Sequence, residues 1–113
     1  MTQPLDIIWE FRTRNFIVRV EALEEYDLDL SWDEDGSIAA GIDAGGFVAF
    51  CARASVSFRG TMIGADYLGG CIYRDYPDFI DRSRGSYFSS MVREAIAAAR
   101  AYMASAPKLR VAA

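Results

Sequence analysis

The sequence predicts an α+β fold: an antiparallel β-meander of about four strands with one long C-terminal α-helix packed on a sheet face. Three observations carry this. Alternation of apolar with polar residues, rich in β-branched and aromatic side chains, recurs through Asp6–Arg12, Phe16–Val20, Phe47–Phe58 and Thr61–Tyr73. An apolar stripe at three-and-four spacing runs through Ser86–Ala104. Short turn signals at Arg14-Asn15 and at Arg59-Gly60 join the first strand to the second and the third to the fourth.

The first alternation places Ile7, Trp9 and Phe11 on one side, and Phe16, Val18 and Val20 repeat it after Thr13-Arg14-Asn15. Two strands with a turn near Arg14-Asn15, or one long bulged strand, fit this pattern. Glu24–Gly46 is weakly periodic and reads as a long loop with a short helical turn near Ser37–Ala40. Loops of that length in a small domain are usually functional or mobile. Arg59-Gly60 reads as a two-residue hairpin turn. It sets Phe58 opposite Thr61, Val56 opposite Ile63, Ala54 opposite Ala65, Ala52 opposite Tyr67 and Val48 opposite Cys71. The other face then pairs Arg53 with Asp66. In that register Cys51 and Cys71 point to opposite faces, which predicts two free thiols with Cys71 in the core. Gly69-Gly70 suits a bulge. Pro77 can start a short helix through about Arg82.

The last helix has Gly85 or Ser86 as its cap. Its stripe comprises Tyr87, Phe88, Met91, Val92, Ala95, Ile96, Ala99, Tyr102 and Met103. Residues 105–113 form a tail. All 113 residues suit one domain with one core. No apolar run nears the roughly 20 residues of a membrane helix. No signal peptide is evident, so a cytoplasmic location is expected.

Charge is the most informative bulk property. The chain carries a net charge of −4, yet the segment from Glu21 to Asp43 holds nine acids and no base. The remainder holds seven acids against twelve bases. The molecule is therefore an arginine-bearing body with one acidic segment.

Composition also limits chemistry. Histidine is absent, which removes the commonest general base and metal ligand together. Two cysteines on opposite faces cannot hold zinc. Gly64–Cys71 has phosphate-loop glycine spacing but lacks the lysine and hydroxyl. Placing Gly36 at the sixth position of a calcium loop puts Ser31 first and Ile42 twelfth, where acids are required. Paired carboxylates could run a glycosidase-like reaction, but a solvated acidic loop explains the same residues. Tyr73, Tyr76, Phe79, Tyr87 and Phe88 interleave with Arg74, Arg82 and Arg84, as in single-strand nucleic-acid binders. A minor core capped by arginines is the simpler reading, and an isoelectric point near 4.7 disfavours direct nucleic-acid binding.

Gly64-Ala65-Asp66-Tyr67-Leu68-Gly69-Gly70-Cys71-Ile72-Tyr73, followed by Arg84-Gly85-Ser86-Tyr87-Phe88 and Met91–Ile96, resembles a family of small phage, prophage and plasmid proteins. Asn15–Val20 and Leu28–Trp32 extend the likeness, which spans about Asn15 to Ala101. Some members are labelled ABC transporter ATPases, an activity that the missing lysine argues against here. The resemblance implies a mobile-element accessory protein and supplies no catalytic residues.

These readings converge on a non-enzymatic protein that acts by binding another macromolecule, with no cofactor, metal or membrane involved. The expected contact residues are Asp27, Asp29, Trp32, Asp33, Glu34 and Asp35, since a large aromatic beside acids suits an interface anchor. A sharper form is inhibition of a host-defence nuclease, such as a CRISPR-Cas effector, by acidic mimicry of nucleic acid. The protein partner is then a nucleic-acid-processing enzyme. The alternatives are a small carboxylate-dependent hydrolase and a structural protein that forms homo-oligomers through an exposed strand edge.

Overall fold

Alternating side chains in four successive segments build one sheet. The computed structural model describes residues 4–83 and 87–105. Its elements are β1 (Asp6–Arg12), β2 (Phe16–Leu23), α1 (Ser37–Asp43), β3 (Val48–Phe58), β4 (Thr61–Tyr73), α2 (Tyr76–Ser83) and α3 (Ser89–Ser105). The strands are antiparallel in the order β1-β2-β3-β4, and α3 packs on β4 and β3. The expected α+β meander is therefore present. The acidic loop contains a helix that reaches Asp43, further than the turn expected at Ser37–Ala40. No helix among the described residues is long and apolar enough to cross a membrane. The Gly85 or Ser86 cap, and the tail from 106 onward, lie outside the described residues.

The turns explain the meander. Thr13 N–H donates to the Phe16 carbonyl at 2.9 Å and Phe16 N–H donates to Thr13 Oγ1 at 3.1 Å, closing β1 onto β2. Arg59 and Gly60 both adopt positive φ, 48° and 87°, as a two-residue hairpin turn of matching twist requires.

The hairpin register departs from expectation. Phe58 faces Thr61, as the turn dictates, but Val56 faces Gly64, Ala54 faces Asp66, Ala52 faces Leu68 and Val48 faces Tyr73. Ile63 is an extra residue in the ladder, and Gly69-Gly70 is a second irregularity opposite Cys51. The physical reason for the first is the helix above. A Cβ on Gly64 would lie 2.5 Å from the Ala95 carbonyl oxygen, so only glycine fits beneath α3. Gly70, at φ +68°, permits the second. Each irregularity moves the side-chain alternation by one residue. Their effects cancel beyond Gly70, so Cys71 reaches the core face as expected, and both thiols are free.

The core lies between the sheet and the helices. Val20, Ala22, Phe50, Ala52, Ala54, Val56 and Phe58 meet Phe79, Phe88, Met91, Ala95 and Ala99. Small residues on β3 and α3 let the layers approach closely. Aromatics fill the wider end: Phe50 meets Tyr76, Phe79 meets Tyr73 and Phe88, and Phe88 meets Trp9 edge-on at 5.4 Å. The aromatic cluster at the strand-helix junction is thus largely core. Tyr87 and Tyr102 depart from the expected buried stripe and are exposed.

The opposite sheet face is polar. Glu21, only 4% exposed, accepts two hydrogen bonds from Arg53, at 2.8 Å from Nη2 and 3.2 Å from Nε. Arg53 therefore pairs with Glu21, correcting the expected Arg53–Asp66 pair, because the bulge at Ile63 turns Asp66 to the helix face. Glu10 accepts from Arg12 and Arg19 on the same face, at 2.5 and 2.6 Å.

Candidate functional site

The segment from Glu24 to Phe47 joins β2 to β3 and carries eight of the sixteen acidic residues and no basic one. Its carboxylates first serve the loop itself. Glu25 reaches across to β4, where its Oε2 accepts from Gly70 N–H at 2.6 Å, and its Oε1 accepts from Asp27 N–H at 3.3 Å. Asp29 accepts from Ser31 N–H at 2.9 Å and Asp35 from Ser37 N–H at 3.0 Å, two turns of the same Asp-x-Ser kind. Asp33 spans the start of α1, accepting from Ile38 and Ala39 N–H at 3.3 and 3.0 Å. Gly36 occupies the N-cap position and has no side chain, so Asp33 satisfies those donors in its place.

Asp29 and Asp35 are exposed and also structural. The Ser31 and Ser37 N–H groups hold their carboxyls below the ordinary range, because the bonds favour the charged form. Asp33 is half-buried and holds α1. Asp27 and Glu34 are exposed, and no side-chain hydrogen bond or ion pair engages their carboxylates among the described residues. Trp32 is 59% exposed, yet its position is set: Nε1 donates to the Asp29 carbonyl at 2.9 Å. The indole polar group is satisfied inside the loop while its apolar faces stay in water.

Trp32 also walls a cleft of about 310 Å³ whose floor is Leu68 to Tyr73 and whose far wall is Tyr87, 56% exposed. Six consecutive β4 residues line it, so it runs along the outer edge of that strand. The Glu25 bond to Gly70 sits at this edge and ties the acidic loop to it. The sequence reading missed Tyr87 and Glu25 as parts of this site. Tyr87 fitted the helical stripe, and the Glu25–Gly70 contact joins residues 45 apart.

The arrangement surrounds an exposed aromatic with ionised carboxylates. A general acid at neutral pH needs a raised carboxyl pKa, and Asp29 and Asp35 move the other way. Burial raises both thiols, Cys71 to about 11, so neither is a thiolate at neutral pH. Among the described residues, no group of three or more Cys, Asp and Glu side chains is placed to hold a metal ion.

Comparison with known proteins finds no matching family model, curated protein or solved structure.

Proposed function

We propose that this protein acts without catalysis, by binding another macromolecule through the face formed by Asp27, Asp29, Trp32, Asp33, Glu34 and Asp35. The observation that carries the reading is Trp32. Its indole N–H is tied to the loop backbone at 2.9 Å, so an exposed aromatic is presented rigidly among carboxylates. An ordered aromatic anchor loses little side-chain entropy on binding, and surrounding ionised carboxylates select a basic surface. The partner that this surface suits is a nucleic-acid-processing enzyme, whose arginine- and lysine-lined groove takes the carboxylates in place of phosphates. A phage or mobile-element protein that inhibits a host-defence nuclease, such as a CRISPR-Cas effector, would act in this way.

The structure shapes the test. Asp29, Asp33 and Asp35 hold the loop, whereas Asp27, Glu34 and Asp43 can be neutralised without removing a side-chain hydrogen bond among the described residues. The triple variant Asp27→Asn, Glu34→Gln, Asp43→Asn and the wild type are immobilised and exposed to bacterial lysate. A nucleic-acid-processing enzyme retained by the wild type, released by duplex DNA and lost with the triple variant supports the proposal. The same partner retained equally by both would reject the acidic face as the binding surface.

A further inference from the structure

We infer that β1 is the interface of a symmetric homodimer, in which the β1 strands of two copies pair antiparallel about a two-fold axis at Phe11 and form one eight-stranded sheet. Among the described residues, β1 is an edge of the four-stranded sheet, and nothing pairs with its outer side. An edge strand offers a row of unmade backbone hydrogen bonds to a second chain. This inference is independent of the proposed partner-binding face, which lies at the other edge.

The backbone fixes which residues can pair. Thr13 N–H points inward to Phe16, and the partners Phe11–Val18 and Trp9–Val20 continue that ladder. By alternation, Glu10 and Arg12 turn their N–H and C=O groups outward. Axes through Glu10, Phe11 and Arg12 all set outward residue against outward residue, and charge selects the one at Phe11. Glu10 then exchanges both backbone bonds with Arg12 of the second copy, and Arg12 does so with that copy's Glu10. An axis one residue earlier would oppose Glu10 to Glu10, and one residue later Arg12 to Arg12. Both bring like charges together. Among the registers that satisfy the backbone, the one centred on Phe11 is the one that pairs acid with base.

The side chains agree. Phe11 is 54% exposed although it lies on the helix side of the sheet, stacked on Trp9 at 6.4 Å. In the dimer it meets Phe11 of the second copy as a closely spaced, non-hydrogen-bonded pair. Phe11 also lines an apolar groove of about 330 Å³, together with Phe16, Val18, Ile96 and Met103. The axis brings the two grooves together and removes the exposed Phe11 wall from water. The irregularity at Ile8 ends regular pairing there, which confines the contact to the Trp9–Thr13 stretch.

Sedimentation of the full chain across a wide concentration range tests this. A monomer–dimer equilibrium is expected for the wild type, and Glu10→Arg alone should abolish it. Glu10→Arg combined with Arg12→Glu restores the opposite-charge pairs and should restore the dimer. In a separate experiment Phe11→Cys should oxidise to a disulfide-linked dimer, while Thr13→Cys should not, since only residue 11 meets its own copy at the axis. A wild type that is monomeric throughout, or a dimer unaffected by the single charge reversal, would overturn the inference. Equal cross-linking at residues 11 and 13 would overturn the register. The cysteine pair needs no destabilising charge reversal, so the result stands if Glu10→Arg fails to fold.

Discussion

Gly64 lies flush against the backbone of α3 at Ala95: a Cβ on Gly64 would sit 2.5 Å from the Ala95 carbonyl oxygen and 2.6 Å from Ala99 N. Neither neighbour is a movable side chain, so Gly64→Ala must lift the helix or tilt the strand. The expected cost is ~1–3 kcal/mol or more, as for other overpacked cores. Urea unfolding of Gly64→Ala against wild type measures it; an unchanged midpoint would show that the helix sits further from the sheet.

The buried pair on the polar face gives a second expectation. Arg53→Met leaves the Glu21 carboxylate, 4% exposed, without its partner. Breaking such a pair costs about 2–4 kcal/mol here, somewhat below the value for full burial because Arg53 keeps some solvent contact. Adding Glu21→Gln to Arg53→Met should recover much of that loss, because the uncompensated charge is gone. Chemical denaturation of the single and double variants distinguishes this from a simple loss of packing.

Acid should loosen the loop before the sheet. Asp29 and Asp35 have folded-state values below the ordinary 3.8, so they stabilise the loop fully above that value. The contribution falls away as pH drops toward and through their lower folded values. The Ser31 and Ser37 amides and the Trp32 indole N–H should shift together below about pH 4 in heteronuclear NMR spectra, ahead of the core amides. Shifts centred near neutral pH would contradict the assigned bonds.

The thiols should react in a fixed order. Burial raises both, and Cys71 is pushed up to about 11 inside the core, whereas Cys51 is partly exposed on the polar face. A thiol-specific reagent at mildly alkaline pH should label Cys51 first and Cys71 only after unfolding. Mass spectrometry of the labelled protein identifies the order.

Much of the fold was legible because burial imposes periodicity. Phe50, Ala52, Ala54, Val56 and Phe58 alternate with polar residues, and Met91, Ala95 and Ala99 recur every turn. The register between Ile63 and Gly70 was not legible. Uniform alternation put Ala65 and Tyr67 on the core face, but close approach of α3 selects Gly64. That choice depends on a helix some thirty residues later in the chain, beyond any local pattern. The acidic segment and Trp32 stood out by composition. The Asp29-x-Ser31 and Asp35-x-Ser37 turns were readable from spacing alone. The Asp33 contact required α1 to be known, and the Glu25–Gly70 tie required the tertiary fold.

The claim that the acidic Trp32 face takes the place of nucleic acid is tested most directly by equilibrium binding to a fluorescently labelled arginine-rich peptide. Anisotropy is read with and without duplex DNA, for the wild type, Trp32→Ala and the triple variant lacking the Asp27, Glu34 and Asp43 charges. A control variant removes the same number of charges at Asp6, Asp81 and Glu94. The account predicts wild-type and control binding that weakens with salt and with competing DNA, and affinity reduced several-fold or more by either change in the acidic face. Equal weakening of the triple and control variants, with Trp32→Ala unchanged, would show that net charge alone is being measured, and would contradict the assigned face.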